Sequence, residues 1–447
     1  MSKGSARVVA GAGRLEGGLR TWWRGGAGVM VSAARWGGAA VLDQAVVSAG
    51  RFALTVLIGR LAGADELGLY AMGFAVVVIG MVVQESLLLT PYTVLGNQVS
   101  AFRRRRALGS MLVVWGVLVG VAVAGLGVVG GAWGMVGSGP EGRLLLVLAL
   151  AWPGVMVHGV ARRVAYAHDE PGSALALDVV VSGMQVGLVV WLGVMGWLTA
   201  EAAIGVLGGA GLVGGVVWCW FHRHWVGGDR RAVGTWLVRS WRFGRWLLGS
   251  QQARAVTLMV VTWGLAAAAG SGEAGRFAAA GLVVVAANPL LLGLGGVVAP
   301  RTAAAWKQGG GLALRQMVGR VTWGVALVMV GYAAVAGLVG GPVLLWVLGD
   351  SAYAGLGHAV AVLGVALAVR AVRMGWNSGI VAVGRPAWGF TAGVAELAVV
   401  AGLMGLFMGW QGAGLGVESA AYIVLAGSIV GTAVRAYAYR RLVVRAG

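Results

Sequence analysis

At 447 residues, 59 % of them hydrophobic and only 11 % charged, with a mean hydropathy of +0.85, the chain cannot be a soluble globular protein. Apolar runs recur along it with almost no polar face between them, the pattern of a polytopic membrane protein. A formal charge of +19 would suggest nucleic acid in a soluble chain; here the basic residues gather in short connections between apolar runs, so nucleic acid is not an expected partner.

Residues 1–37 alternate arginines with small residues and the pair Trp22-Trp23, and hold no uninterrupted apolar core of signal-peptide type. A basic cytoplasmic or interfacial arm is expected, able to touch anionic lipids. From there the sequence predicts an all-α protein of twelve membrane spans: 39–62, 67–90, 108–133, 144–161, 174–198, 202–221, 246–269, 276–299, 321–340, 356–376, 387–409 and 413–434. Lys and Arg concentrate in the connections on one side, among them the run Arg103 to Arg106, Arg162-Arg163, the stretch from Arg223 to Arg245, the pair Arg370 and Arg373, and the tail from Arg435. The opposite turns hold Asp65, Glu66, Glu141, Glu201, Glu273, Asp350 and Glu418. On the positive-inside rule both termini are cytoplasmic.

The first two spans form a hairpin joined by the acidic turn GADELG, and its continuation GADELGLYAMGFAVVV returns as GSGEAGRFAAAGLVVV. Glu66, Gly68, Tyr70 and Ala71 align with Glu273, Gly275, Phe277 and Ala278, and Trp115-Gly116-Val117 recurs as Trp323-Gly324-Val325. The chain is therefore an internal duplication of two six-helix lobes. The organisation read from this is a basic arm over 1–37, an N lobe over 38–222, a basic cytoplasmic connection over 223–245, a C lobe over 246–434 and a basic tail over 435–447. Each lobe has an even number of spans, so the repeats run parallel about an axis along the membrane normal. The connection is expected to carry a helix lying at the interface. In the eighth span, Asn288-Pro289 is expected to kink the helix, since proline removes a backbone hydrogen bond. The turns holding Pro171 and Pro386 occupy matching places in the two halves.

Chemistry is expected where charge enters a span. Arg51 lies in the first span and Arg254 in the first span of the second lobe, each costing about 2.5–3.5 kcal/mol on insertion scales unless it faces a wet or protein-lined interior. Guanidinium forks from opposite lobes would suit a planar, bidentate anion; pairing to a span carboxylate is the structural alternative. Asp43, Glu85 and Asp178 lie near cytoplasmic span ends, where a hydrated structural role is expected. Glu396 lies deeper and is the first candidate for protonation or cation coupling, with Asp178 next; the competing role for Glu396 is partner to Arg254 or Arg370. No nucleophile-and-base set, paired catalytic carboxylates or phosphate loop is recognisable, so neither an enzyme nor a cofactor is expected. His222 and His224 lack a third ligand at suitable spacing, which argues against a metal. Cys219, the single cysteine, allows no intrachain disulfide and is expected to pack.

The stretch from Arg51 to Ala71 (RFALTVLIGRLAGADELGLYA), the RRVAYA turn with its PGSALALD continuation, and the GRPAWGF and WQGAGLG patterns near the end resemble the Wzx-like polysaccharide flippases of the MOP exporter superfamily, which also holds the MATE antiporters. The resemblance implies two six-helix lobes around a cavity that opens alternately to each side of a bacterial inner membrane. It implies a polyprenyl-diphosphate-linked oligosaccharide as cargo, H+ or Na+ coupling, and polysaccharide glycosyltransferases or a polymerase as partners. Arg51 and Arg254 are the positions that match its cationic cavity residues. A MATE-type small-molecule/cation antiporter, and a non-transporting membrane component of a polysaccharide assembly complex, remain alternatives, because fold does not fix function.

Overall fold

A computed structural model describes residues 38–444 except 97–99, 138, 229–231, 283–285, 386 and 410–413. The expected arm over 1–37, Pro386 and the end of the tail lie outside the described residues. All regular structure in the described part is helical, as hydrocarbon demands of a backbone that must satisfy its hydrogen bonds within its own segment. In chain order the helices are α1 (Gly38–Leu61), α2 (Gly63–Gly96), α3 (Ala101–Val136), α4 (Pro140–Ala167), α5 (Pro171–Val194) and α6 (Ala200–Phe221) in the first lobe. The second lobe has α7 (Ala232–Ala269), α8 (Ser271–Ala280), α9 (residues 288–308), α10 (residues 311–348), α11 (Gly357–Ala382), α12 (Ala387–Gly409) and α13 (Val417–Val444). Eleven helices among the described residues are long and apolar enough to cross a membrane.

Three boundaries differ from the sequence reading. The expected interfacial helix in the connection is absent: residues 232–245 are the first part of α7, whose 38 residues reach about 57 Å at 1.5 Å per residue, well beyond a 30 Å hydrocarbon core. The eighth span is interrupted close to the expected Asn288-Pro289: α8 ends at Ala280, residues 283–285 lie outside the described ones, and a helix with Pro289 in its first turn starts at Asn288. Between α9 and α10 the chain turns through Gly309 and Gly310, the latter at φ 58°, a conformation that favours glycine.

The lobes repeat one packing scheme. Gly50 of α1 lies against Ser182 of α5, while Gly249 of α7 lies against Phe390 of α12, so the first helix of each lobe packs on the fifth. The acidic turns meet at the centre. A Cβ on Gly68 would collide with the Ser271 carbonyl and the Gly275 nitrogen, and a Cβ on Gly275 would collide with the Ala64 carbonyl and the Gly68 nitrogen. Glycine here permits backbone contact between α2 and α8. Around this seam Ser271 donates to Asp65 at 2.6 Å, Tyr353 to the Gly59 carbonyl at 3.1 Å and Trp263 to the Met72 carbonyl at 3.1 Å, each bond joining the two lobes.

Glu66 accepts from the Ala200 amide at the start of α6 (2.5 Å), and Glu273 from the Val417 amide at the start of α13 (3.0 Å). The residues repeated by the duplication thus satisfy the orphan N–H groups of the last helix of each lobe. In this acidic half the lobes share one apolar core, with Ile58, Leu67, Ile204, Phe277, Leu348 and Tyr353 buried together. In the basic half each lobe has its own, around Tyr92, Met111 and Trp218 in the first and Leu314, Ile380 and Tyr439 in the second. The apolar cores merge at the acidic end and separate at the basic end, where α7 still docks on the first lobe through Trp236 on its core and Gly244 against the Ser86 carbonyl.

Candidate functional site: a charge cluster in each lobe

In the N lobe, α4 presents His158, Arg162 and Tyr166 at four-residue spacing on one face. Arg162 lies between Asp43 of α1 (2.5 Å) and Asp178 of α5 (2.5 Å), both wholly buried side chains. Tyr166 donates to Asp43 at 2.6 Å and the His158 ring meets Asp178 at 2.8 Å. The two aspartates thus meet on one guanidinium. The hydrated role expected of these two aspartates does not hold; they form a buried network on Arg162, which sequence reading had placed among the connection charges. Glu85 follows its expectation more closely: partly exposed, it pairs with Arg163 and accepts from Thr90 at 2.9 Å, within a π-helical turn over Glu85–Leu89.

In the C lobe the signs reverse. Glu396 of α12, 2 % exposed, is met by Arg373 at 2.6 Å and Arg370 at 3.4 Å, both from α11. Arg435 of α13 is buried beside them and donates to the carbonyls of Gly431 (2.9 Å) and Gly389 (3.3 Å). Gly431 makes room for the ion pair, since a Cβ there would lie 2.8 Å from the Glu396 carboxylate and 3.2 Å from an Arg373 nitrogen. Glu396 thus has Arg370, one of the two partners expected for it, and Arg373 as its ion-pair partners.

Arg51 and Arg254 are both exposed although their neighbours Leu54, Ala253 and Ala255 are buried. Arg51 lies 5.9 Å from the centre of the Phe74 ring on α2 and has Arg162, Tyr70 and Asp178 as its charged or ionisable neighbours. Arg254 has Arg373 and Glu396 as neighbours. Each therefore points inward to the cluster of its own lobe, and neither has the other as a charged neighbour among the described residues. Arg370 was anticipated as a partner of Glu396, whereas Arg162, Arg373 and Arg435 escaped notice because an arginine near a span end reads alike whether it snorkels outward or turns inward. For Arg162 the stripe with His158 and Tyr166 was the available signal.

At the basic end the connection closes over the N lobe. Trp225 stacks on His168 at 4.0 Å, His222 on Trp218 at 4.0 Å, and Arg105 donates to the His224 carbonyl. Burial holds the His168 imidazole below its ordinary range. His222 and His224 serve this stack, and no metal-ligating group of three is present among the described residues.

No family model matches the chain, and no curated protein matches it. Solved structures do. An inward-facing multidrug resistance MATE family transporter of the MOP superfamily superposes with a TM-score of 0.73 at 15 % identity, over 91 % of this chain and 98 % of that one. A MOP superfamily transporter from Pyrococcus furiosus, noted for a binding pocket of reverse polarity that suggests a different function, gives 0.66 at 15 % identity over 92 % and 95 %. An outward-facing MATE family transporter gives 0.65 at 14 % identity over 93 % and 96 %. The protein has the fold of MOP-superfamily transporters.

Proposed function

We propose that the protein is an alternating-access transporter of the cell membrane that carries polyprenyl-diphosphate-linked oligosaccharide from the cytoplasmic to the external leaflet. The observation that carries this reading is the pair Arg51 and Arg254, one on the first helix of each lobe, both exposed and each with the charge cluster of its own lobe as neighbour. Such guanidinium groups suit a phosphate-bearing cargo, which supplies opposite charge and a planar set of acceptors. In this reading the basic end faces the cytoplasm and is the side on which the cargo enters. Asp178 is the better candidate for coupling than Glu396: two aspartates share Arg162, leaving a place for one proton, whereas Glu396 is matched by more than one arginine.

A MATE-type antiporter is the second reading, supported by the same fold and by the Asp43–Asp178 pair; the positive balance of the C lobe weighs against a cationic cargo. Deleting the gene discriminates. A lipid-linked oligosaccharide building up on the cytoplasmic leaflet is the expected result. No such build-up, with loss of drug resistance instead, would transfer the assignment to the antiporter.

A further inference from the structure

We infer that the C lobe holds a phosphate-type anion site of its own, formed by Arg254, Arg370, Arg373 and Arg435, in which the Glu396 carboxylate occupies the anion's place until an anion displaces it. The inference rests on the flippase reading only for the source of the anion.

Charge counting gives the first argument. The four arginines form one electrostatic neighbourhood with Glu396. Between residues 246 and 434 the only other acidic residues are Glu273, Asp350 and Glu418, all at the opposite, acidic end. Four guanidinium groups, two of them buried, thus share one carboxylate and leave a surplus of three positive charges, costly for the part held away from water. A monocarboxylate would leave two of them unmatched. A phosphate or diphosphate brings two or more charges and several acceptor oxygens, the geometry guanidinium forks bind in bidentate fashion.

Construction gives the second. Arg373 and Arg435 are buried and fixed, one by Glu396 and the other by two backbone carbonyls, so they form the floor. Arg370 is 27 % exposed and holds Glu396 only at 3.4 Å, and Arg254 is exposed with no hydrogen bond or ion pair among the described residues. These two form the accessible side. An incoming anion takes Arg254 and Arg370 first and competes with Glu396 for Arg373; no bond forms or breaks beyond the exchange of ion pairs. The N lobe lacks this surplus, because its Arg162 already has two aspartates.

The test is binding of inorganic diphosphate and of farnesyl diphosphate to the purified full-length protein in detergent, by calorimetry. Wild type is expected to bind both. Arg370→Gln is expected to weaken binding at least tenfold, and Glu396→Gln, which removes the built-in competitor, to tighten it several-fold. Wild type failing to bind either probe overturns the site. So does Glu396→Gln with unchanged or weaker affinity in protein that melts like wild type. If Glu396→Gln fails to fold, Arg370→Gln and Gly431→Ala decide, the first by weakened binding and the second by tighter binding through a disrupted ion pair. Equal affinity for the two probes identifies a free anion as ligand, and tighter farnesyl diphosphate binding a lipid-linked one. Binding of this pattern without accumulation of lipid-linked oligosaccharide on gene deletion would retire the flippase reading and leave the site standing; accumulation without binding would do the reverse.

Discussion

In the N lobe one arginine is held between two aspartates; in the C lobe one glutamate is held between two arginines, with two more guanidinium groups close by. The scaffold of the two sites is the same. The fourth helix of each lobe supplies the arginine (Arg162, or Arg370 and Arg373), the fifth supplies the carboxylate (Asp178 or Glu396), and the first carries an exposed arginine (Arg51 or Arg254). Duplication preserved where charges meet and substitution set their sign. One half is a balanced network suited to holding a proton, and the other an unbalanced one suited to holding an anion.

That contrast is most exposed to attack at Arg162. Arg162→Ala leaves two buried carboxylates without their cation and is expected to cost about 3–5 kcal/mol, the range for breaking a buried pair. Thermal melting and membrane abundance should both fall, and adding Asp178→Asn should recover part of the loss. A single variant that melts like wild type would mean that the N-lobe network is not structural. Arg254→Ala is expected to act differently, removing a cation with no ion-pair partner among the described residues: abundance unchanged, glycan export down at least tenfold. Arg254→Lys should restore only part, since it keeps charge and loses the fork. Normal export in Arg254→Ala at wild-type abundance would remove this residue from the binding site.

Gly68→Ala tests the closed end both lobes share. The methyl would strike the Ser271 carbonyl, so the seam should open and an impermeant thiol reagent should reach a cysteine placed at Ser271 in a Cys219→Ser background. Unchanged labelling would argue that the seam is not tight. The smallest effect concerns His168. Burial depresses its folded-state pKa, so the unfolded segment takes up a proton first as pH falls through about 6.5. Docking of the connection is therefore complete above that pH and weakens below it. Hydrogen exchange over residues 223–227 should quicken on acidification, in an environment that also holds Arg104, Asp169, Glu170 and His222. His168→Phe should flatten the dependence, and a variant as pH-sensitive as wild type would assign the effect to another group.

The helical lobes were legible because hydrocarbon imposes length and apolarity on every span, and the repeat was legible because the acidic turns kept Glu66 and Glu273, which cap equivalent helices. Arg51 and Arg254 were legible as charges far inside apolar runs. The clusters were not. Asp43 and Arg162 are 119 residues apart, and no local pattern says that an arginine at the end of α4 turns inward to meet an aspartate on α1. Asn288-Pro289 was legible as the irregular point of the eighth span, because proline cannot donate to the helix ladder, and a helix boundary falls at that pair.

The contact between Gly68 and Gly275 is reciprocal: the first meets Ser271 and Gly275, the second meets Ala64 and Gly68, the same positions exchanged between repeats. That reciprocity defines an isologous interface, the kind formed by two identical subunits about a twofold axis. A single six-helix ancestor bearing this glycine would have been able to dimerise through it before any gene fusion. The fused chain has kept a homodimer's seam while its two halves drifted apart in charge, an asymmetry that no true homodimer encoded by one gene could acquire.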